Sequence, residues 1–446
     1  MLLGALVLAA VVALALGRPA PASAAEPSLY KFDFGPGAVG AGYLPILPTT
    51  IYDRALGYGF EPGGTLTGVD RGGSDPVRGD FVTSDRPFFF SARVPAEGNY
   101  RVTVTLGDSM GETTTTIKAE LRRLMVERIH TKAGEFATVS FIVNTRTPKI
   151  AATGDVAAGE VRLKAPRESI QEGWAWDDRI TLEFSNARPT VCAVEIAPAD
   201  VPTVFLLGDS TVCDQSREPF ASWGQMLPRF FKPEVAIANH GESGETYRDS
   251  IGRRRLDKIL SVMRPGDYLI MQFGHNDQKQ IAAGTGGPFT TYKAELKQHV
   301  DAVRRHGGIP VIVSPMERRE FAADGTVKPT LADYAEAARQ AARELNVTFI
   351  DLNAMSIPFY QALGPERSKL AFARPGPDKV DNTHHDNYGA YELAQCVVQG
   401  IKDAKLEIAK YIVDDFHGFD PARPDAIEDF SVPASPVVTI EKPFGN

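Results

Sequence analysis

Cysteine is nearly absent. The chain has Cys192, Cys213 and Cys396 in 446 residues. So few exclude a disulfide scaffold, since at most one bridge forms and one thiol is left over. No Cys/His cluster has the spacing of a zinc site. Neither GxGxxG nor a Walker pattern occurs, so nucleotide chemistry has no support. Positive charge is also short: 48 Lys and Arg face 56 Asp and Glu, for a net charge of −8. A nucleic-acid-binding surface has the opposite sign. A local basic patch stays compatible with an acidic polymer as ligand. The apolar run Leu2 to Leu16 is too short for a comfortable membrane span. With Ala22-Ser23-Ala24 behind it, residues 1–24 read as a secretory signal. The expectation is an exported protein with no membrane span after processing.

What is present divides the chain. Residues 28–198 carry short strand-like runs between Gly-rich turns at Gly57, Gly59, Gly63-Gly64 and Gly72-Gly73. The runs include Phe88 to Phe90, Tyr100 to Thr105, Leu121 to Ile129, Phe136 to Val143, Val161 to Leu163 and Ile180 to Phe184. Short, evenly spaced strands predict a β-sandwich. Trp174 and Trp176, two apart near the last strand, are expected in core or inter-domain packing rather than on sugar. Two prolines in Ala197 to Pro202 mark a linker. Residues 203–412 then alternate. Strands are expected at Val204–Leu207, Val235–Ala238, Tyr268–Phe273, Pro310–Ser314 and Val347–Leu352. Helices are expected at Trp223–Phe231, Ile251–Met263, Tyr292–Arg305, Leu331–Leu345 and Tyr388–Tyr411. Such βα pairs predict a parallel sheet with helices on both faces. Residues 413–446, rich in proline, read as an extended tail on the body.

Val204 to Leu207 is apolar without a break and stops at Gly208-Asp209-Ser210. That is the pattern of a strand buried on both faces. Open α/β sheets place their chemistry past the C-terminal ends of such strands. A second Gly-Asp-Ser, Gly107 to Ser109, follows a run that alternates apolar and polar, Tyr100 to Thr105. It reads as a hairpin loop beside a half-exposed antiparallel strand. A serine hydroxyl needs an adjacent base, and histidine is suited to that role. Of eight histidines, only His384 has an aspartate three residues earlier in a loop before a helix. Asp381 can then fix its tautomer while the other ring nitrogen faces Ser210. His385 is the confounder and is read as a wall residue. Cys213 is read as a small buried apolar residue.

These residues fall in four blocks. Gly208-Asp209-Ser210-Thr211, Asn239-His240-Gly241-Glu242-Ser243-Gly244, Gly274-His275-Asn276-Asp277 and Asp381-Asn382-Thr383-His384 occur in that order. The second half thereby resembles the SGNH, or GDSL-type, hydrolases, with Thr211 where a leucine is usual. Within them it is most similar to rhamnogalacturonan acetylesterases. The first half resembles a galactose-binding-like jelly roll. The resemblance implies a flavodoxin-like α/β three-layer sandwich preceded by an all-β domain. It implies Ser210, His384 and Asp381 as catalytic residues, and an oxyanion hole from the Ser210 and Gly244 amides and the Asn276 side chain. It implies no metal and no organic cofactor.

The expected reaction is deacetylation of a pectic polysaccharide, rhamnogalacturonan first. Acetylated xylan, another carbohydrate or aryl ester, and a non-catalytic polysaccharide-binding role are the alternatives. Glu245 places a negative charge beside the second block, awkward for an acidic polymer. Arg248, or Arg318 and Arg319, is expected to offset it and grip a carboxylate. The oligomeric state has no sequence signal.

Overall fold

The computed structural model describes residues 29–439, 441 and 443; the signal read at residues 1–24 lies outside them. Two five-stranded sheets face each other in the first half. One runs, in spatial order, Phe136–Thr145, Gly98–Gly107, Ala193–Pro198, Tyr30–Phe34, Leu44–Ile46. The other runs Tyr58–Phe60, Phe88–Arg93, Arg179–Ser185, Thr113–Ala119, Arg123–Thr131. Phenylalanines fill the space between: Phe32, Phe34, Phe60, Phe88, Phe90 and Phe184 are all at most 1% exposed. Burying each stabilises the sandwich by about 1.5–3 kcal/mol relative to exposure. Gly98–Gly107 alternates as its sequence does, with Tyr100, Val102 and Val104 buried and Arg101, Thr103 and Thr105 half-buried. The Gly-Asp-Ser after it is a loop whose Asp108 is buried and ion-paired to Arg71 and Arg188.

Five parallel strands organise the second half: β1 (Thr203–Gly208), β2 (Ala236–Asn239), β3 (Tyr268–Gln272), β4 (Ile309–Val313) and β5 (Thr348–Ile350). Their order is β2-β1-β3-β4-β5. Val204 and Leu206 of β1 join one hydrophobic cluster, Phe205 and Leu207 the other. That is why the strand is apolar at every position. The order reverses at β1, which pairs with β2 on one side and β3 on the other. The crevice past the C-terminal ends of β1 and β3 is therefore the topological switch point.

Several elements differ from their expected bounds. Trp223–Phe231 is an α turn followed by a 3-10 turn, Leu227–Phe230, with Pro228 at its start. Ile251–Met263 is two helices, Tyr247–Gly252 and Arg255–Val262, broken where Arg254 is left-handed at φ 63°. Tyr388–Tyr411 stops as an α-helix at Asp403, and Lys405 is left-handed at φ 52°. Val347–Leu352 ends as a strand at Ile350, and Leu352 instead opens a helical segment, Leu352–Arg367, that breaks at Gly364, where φ is 71°. Pro358 and Pro365 hid that helix from the sequence pattern. Gly59 lies within a strand rather than a turn, and Val161 to Leu163 is not a strand. Trp174 and Trp176 sit in a 3-10 turn, Gly173–Trp176. Trp176 packs into a cluster shared with the parallel-sheet half, and the Arg146 guanidinium lies 4.4 Å over its ring.

The tail lies across both halves. Lys118 Nζ donates to the Pro433 carbonyl at 2.7 Å, and the Ser435 hydroxyl donates to Glu183 at 2.7 Å. The Ser435 amide donates to Glu218 at 2.9 Å. All three cysteines are free and buried, and burial pushes each thiol up, so none is a reactive thiolate.

Candidate active site

β1 ends at Gly208, where a Cβ would lie 2.4 Å from Val212 Cγ2 and 2.5 Å from the Gln272 carbonyl oxygen. Only glycine lets the chain turn there. Asp209 then anchors the turn: its Oδ1 accepts from the Thr211 amide at 2.9 Å and the Thr211 hydroxyl at 2.7 Å. Burial alone would raise the Asp209 carboxyl, but His275, 3.4 Å from Oδ2, holds it below the usual range. The threonine that replaces the usual leucine also ties the turn to the sheet, because Thr211 Oγ1 accepts from Gln272 of β3 at 2.7 Å. Gln215 Nε2 donates to the Ser210 carbonyl at 2.7 Å. Ser210 is thus fixed from both flanks.

The histidine loop is built the same way. Asp381 Oδ1 accepts from the amides of Thr383 (2.8 Å) and His384 (3.0 Å). Its Oδ2 lies 3.1 Å from His384 Nδ1. Burial raises this carboxyl, but the His384 ring and the two amides outweigh it and hold Asp381 well below the carboxylate range. An ionised carboxylate on Nδ1 selects the tautomer that leaves the Nε2 lone pair free. His384 Nε2 lies 3.0 Å from Ser210 Oγ. Phe220 meets the ring edge-on at 5.7 Å, and the Ala373 amide donates to the His384 carbonyl at 2.9 Å. The line Asp381–His384–Ser210 can therefore remove the serine proton and stabilise the resulting imidazolium. Ser210 is 0% exposed and His384 1%.

The expected oxyanion donors, Gly244 and Asn276, lie on neighbouring loops. Gly244 has φ +76°, which favours glycine. Lys279 Nζ donates to Asn276 Oδ1 at 3.0 Å, which orients the amide, and Asn276 Nδ2 donates to the Glu245 carbonyl at 3.2 Å. The second and third blocks are thereby tied together. Asp277 is scaffold: its Oδ1 accepts the Tyr247 amide at 3.3 Å, and burial pushes its carboxyl well above the usual range.

His385 is a buried wall residue, with Nε2 2.9 Å from the Tyr360 hydroxyl and its carbonyl accepting from Ala221. Arg248 is not brought to the triad. It pairs with Glu295 at 2.7 Å and donates to the Thr285 carbonyl. Arg318 donates to Gln278 at 2.9 Å, beside the third block, and the Arg319 amide donates to the Asn382 carbonyl at 2.8 Å, beside the fourth. None of these offsets Glu245. That carboxylate is buried against Lys164 (2.7 Å), Arg253 (3.1 Å) and Arg255 (3.7 Å). Lys164 comes from the first half, about 80 positions upstream, a separation that no local pattern reveals. Among the described residues no group of three or more His, Cys, Asp or Glu is arranged to hold a metal.

The GDSL-like lipase/acylhydrolase family model matches residues 206–380, and the galactose-binding-like domain model of β-agarase/YXIM esterase-like proteins matches residues 30–141. Rhamnogalacturonan acetylesterase RhgT of Bacillus subtilis is 39% identical over 220 residues, 47% of this chain and 94% of its own length. The chain belongs to the GDSL-like family. It is a carboxylic ester hydrolase with a galactose-binding-like domain ahead of the hydrolase fold. The uncharacterized esterase YxiM of Bacillus subtilis is 28% identical over 388 residues, 85% of this chain and 92% of its own. A crystal structure of YxiM covers 84% of this chain and 99% of its own at 25% identity, with a TM-score of 0.44.

Proposed function

We propose that this family member is an exported acetylesterase that deacetylates a pectic polysaccharide, rhamnogalacturonan first. The observation that carries the reading is the 3.0 Å contact of His384 Nε2 with Ser210 Oγ, backed by Asp381. Ser210 attacks the acetyl carbonyl as His384 takes its proton. The oxyanion forms against the Ser210 and Gly244 amides and the Asn276 side chain. His384 then protonates the departing sugar hydroxyl, leaving an acetyl-serine. Water, deprotonated by His384, attacks that ester and releases acetate.

The near-complete burial of Ser210 favours a small acyl group over a long one. Two adjoining clefts, of about 200 and 560 Å³, share Arg217, Thr439 and Glu441. The smaller is lined by Gln215 and Phe220, which contact Ser210 and His384; the larger adds Arg374. Neither Arg217 nor Arg374 forms an ion pair with a described residue, while the cleft walls balance in charge, Arg167, Arg217 and Arg374 against Glu172, Glu218 and Glu441. Arg217 and Arg374 are the groups there that can meet the carboxylates of an acidic polymer. The named substrate of RhgT points the same way. Export rests on the apolar run Leu2 to Leu16 and the small residues that follow.

The test is acetate release from acetylated rhamnogalacturonan and from acetylated xylan. Faster release from rhamnogalacturonan is expected, and activity on xylan alone refutes the pectic assignment. For the oxyanion hole, Asn276→Ala is expected to lower kcat by about 10²–10³ with little change in KM, measured with an aryl acetate. An unchanged kcat removes Asn276 from the set.

A further inference from the structure

The loop that carries Gly244 is held from outside its own half. Lys164 Nζ donates to the Ser243 carbonyl at 2.5 Å and pairs with Glu245 Oε1 at 2.7 Å. Arg167 Nη2 donates to the Ser243 hydroxyl at 2.8 Å, and its Nε lies 3.4 Å from Glu242. Glu168, next along, pairs with buried Arg255 at 2.5 Å, and Arg255 in turn faces Glu245. The residues on both sides of Gly244 are therefore gripped by side chains of one short segment of the β-rich half. Glu242, Ser243 and Glu245 are each at most 3% exposed. Buried Glu245 needs counter-charge to stay folded in place, whereas burial and the nearby Glu172 and Glu168 push the Glu242 carboxyl well above the usual range. The Ser243 carbonyl belongs to the same peptide unit as the Gly244 N–H. A bond to that carbonyl sets the plane of the peptide, and with it the direction of the N–H.

We propose that Lys164 and Arg167 are positioning residues for the oxyanion hole: the β-rich half completes the catalytic machinery of the hydrolase half. The inference rests on the serine-esterase reading, with Gly244 as an oxyanion donor. It gives the β-rich half a part in catalysis that does not depend on whether that half binds sugar. Lys164 acts on the peptide plane and Arg167 on the adjacent side chain; Arg167 also lines the smaller cleft, so Lys164 carries the test.

The test uses the full chain and p-nitrophenyl acetate, with kcat normalised to the fraction of molecules that a fluorophosphonate labels. Lys164→Met is expected to lower kcat by roughly 10²-fold with KM within about twofold, because a displaced donor fails the transition state rather than the ground state. Arg253 and Arg255 still face Glu245 in that variant, so its melting temperature stays near wild type. Lys164→Arg restores most of the rate, and Arg167→Gln gives a smaller loss. An aryl boronic acid, whose tetrahedral serine adduct places an oxygen in the same hole, loses affinity in parallel with kcat/KM. Variants that match wild type per labelled site overturn the inference. So does a loss confined to melting temperature and labelled fraction. A wild type that neither turns over nor labels overturns the esterase reading, and this inference with it.

Discussion

Ser210→Ala and His384→Ala each lower turnover of an acetyl ester by at least about 10⁴-fold. The two losses do not add in the double variant, because the groups act as one unit across their 3.0 Å contact. Asp381→Asn costs roughly 10⁴-fold by a different route. The amide no longer favours the Nδ1–H tautomer, and the imidazolium loses its counter-charge. The controls come from the decoys. Ser109→Ala changes nothing measurable, because Ser109 lies on the loop of a sandwich hairpin beside Asp108, which Arg71 and Arg188 hold. His385→Ala keeps its rate per folded molecule but lowers the melting temperature, since it empties a buried site against Tyr360 and Phe372. Steady-state kinetics with far-UV circular dichroism on each variant checks the set. A His385 variant that folds and is inactive moves the base to the neighbouring position.

Arg122→Met is expected to destabilise the whole chain by about 3–5 kcal/mol, the cost of breaking a buried charge pair. Arg122 sits at the tip of a tight turn, with φ 62°, between two strands of the sandwich. Its guanidinium enters the hydrolase half. It donates to the carbonyls of Gln215 (3.0 Å) and Phe220 (2.9 Å) and to Asn387 (3.1 Å), and it pairs with Glu218 at 2.5 Å. The loop it pins contains Gln215 and Phe220, which flank Ser210 and His384. Activity should therefore fall with stability. The pH dependence follows from Glu218. Burial raises its carboxyl, but Arg122 and Lys118 outweigh burial and hold it below the unfolded value. A depressed folded pKa stabilises above the unfolded pKa of about 4.3, and that contribution is lost as pH falls through the folded value. Wild type should lose stability steeply on the acid side, and Arg122→Met should lose less there because it has less to lose. Urea unfolding at pH 7 and pH 4 measures both. A change below about 1 kcal/mol at pH 7 shows that the two halves fold independently.

What the sequence makes legible follows from locality. β1 is readable because helices cover both its faces, so each of its residues is apolar. The serine and histidine loops are readable because their anchors, Asp209 with Thr211 and Asp381 with Thr383, lie within a few positions of the reacting groups. Leu352–Arg367 is not readable, because its two prolines outweigh its helix formers in any local window. The break at Arg254 is hidden because arginine carries no turn signal, although it adopts the left-handed conformation there. The largest miss concerns charge. Lys164, Arg167, Arg122 and Arg255 look like ordinary surface residues, and Arg248 looks like the partner of Glu245. Their roles arise only when two halves of the chain meet, and the residue that neutralises a carboxylate lies in a different domain.

Covalent labelling with a fluorophosphonate, read by peptide mapping of the folded chain, tests the central claim most directly. One label on Ser210, absent from Ser210→Ala and strongly slowed in His384→Ala, is the predicted result. A folded chain that takes up no label, or takes it on Ser109 or another hydroxyl, contradicts the assignment of Ser210 as the nucleophile of an acetylesterase.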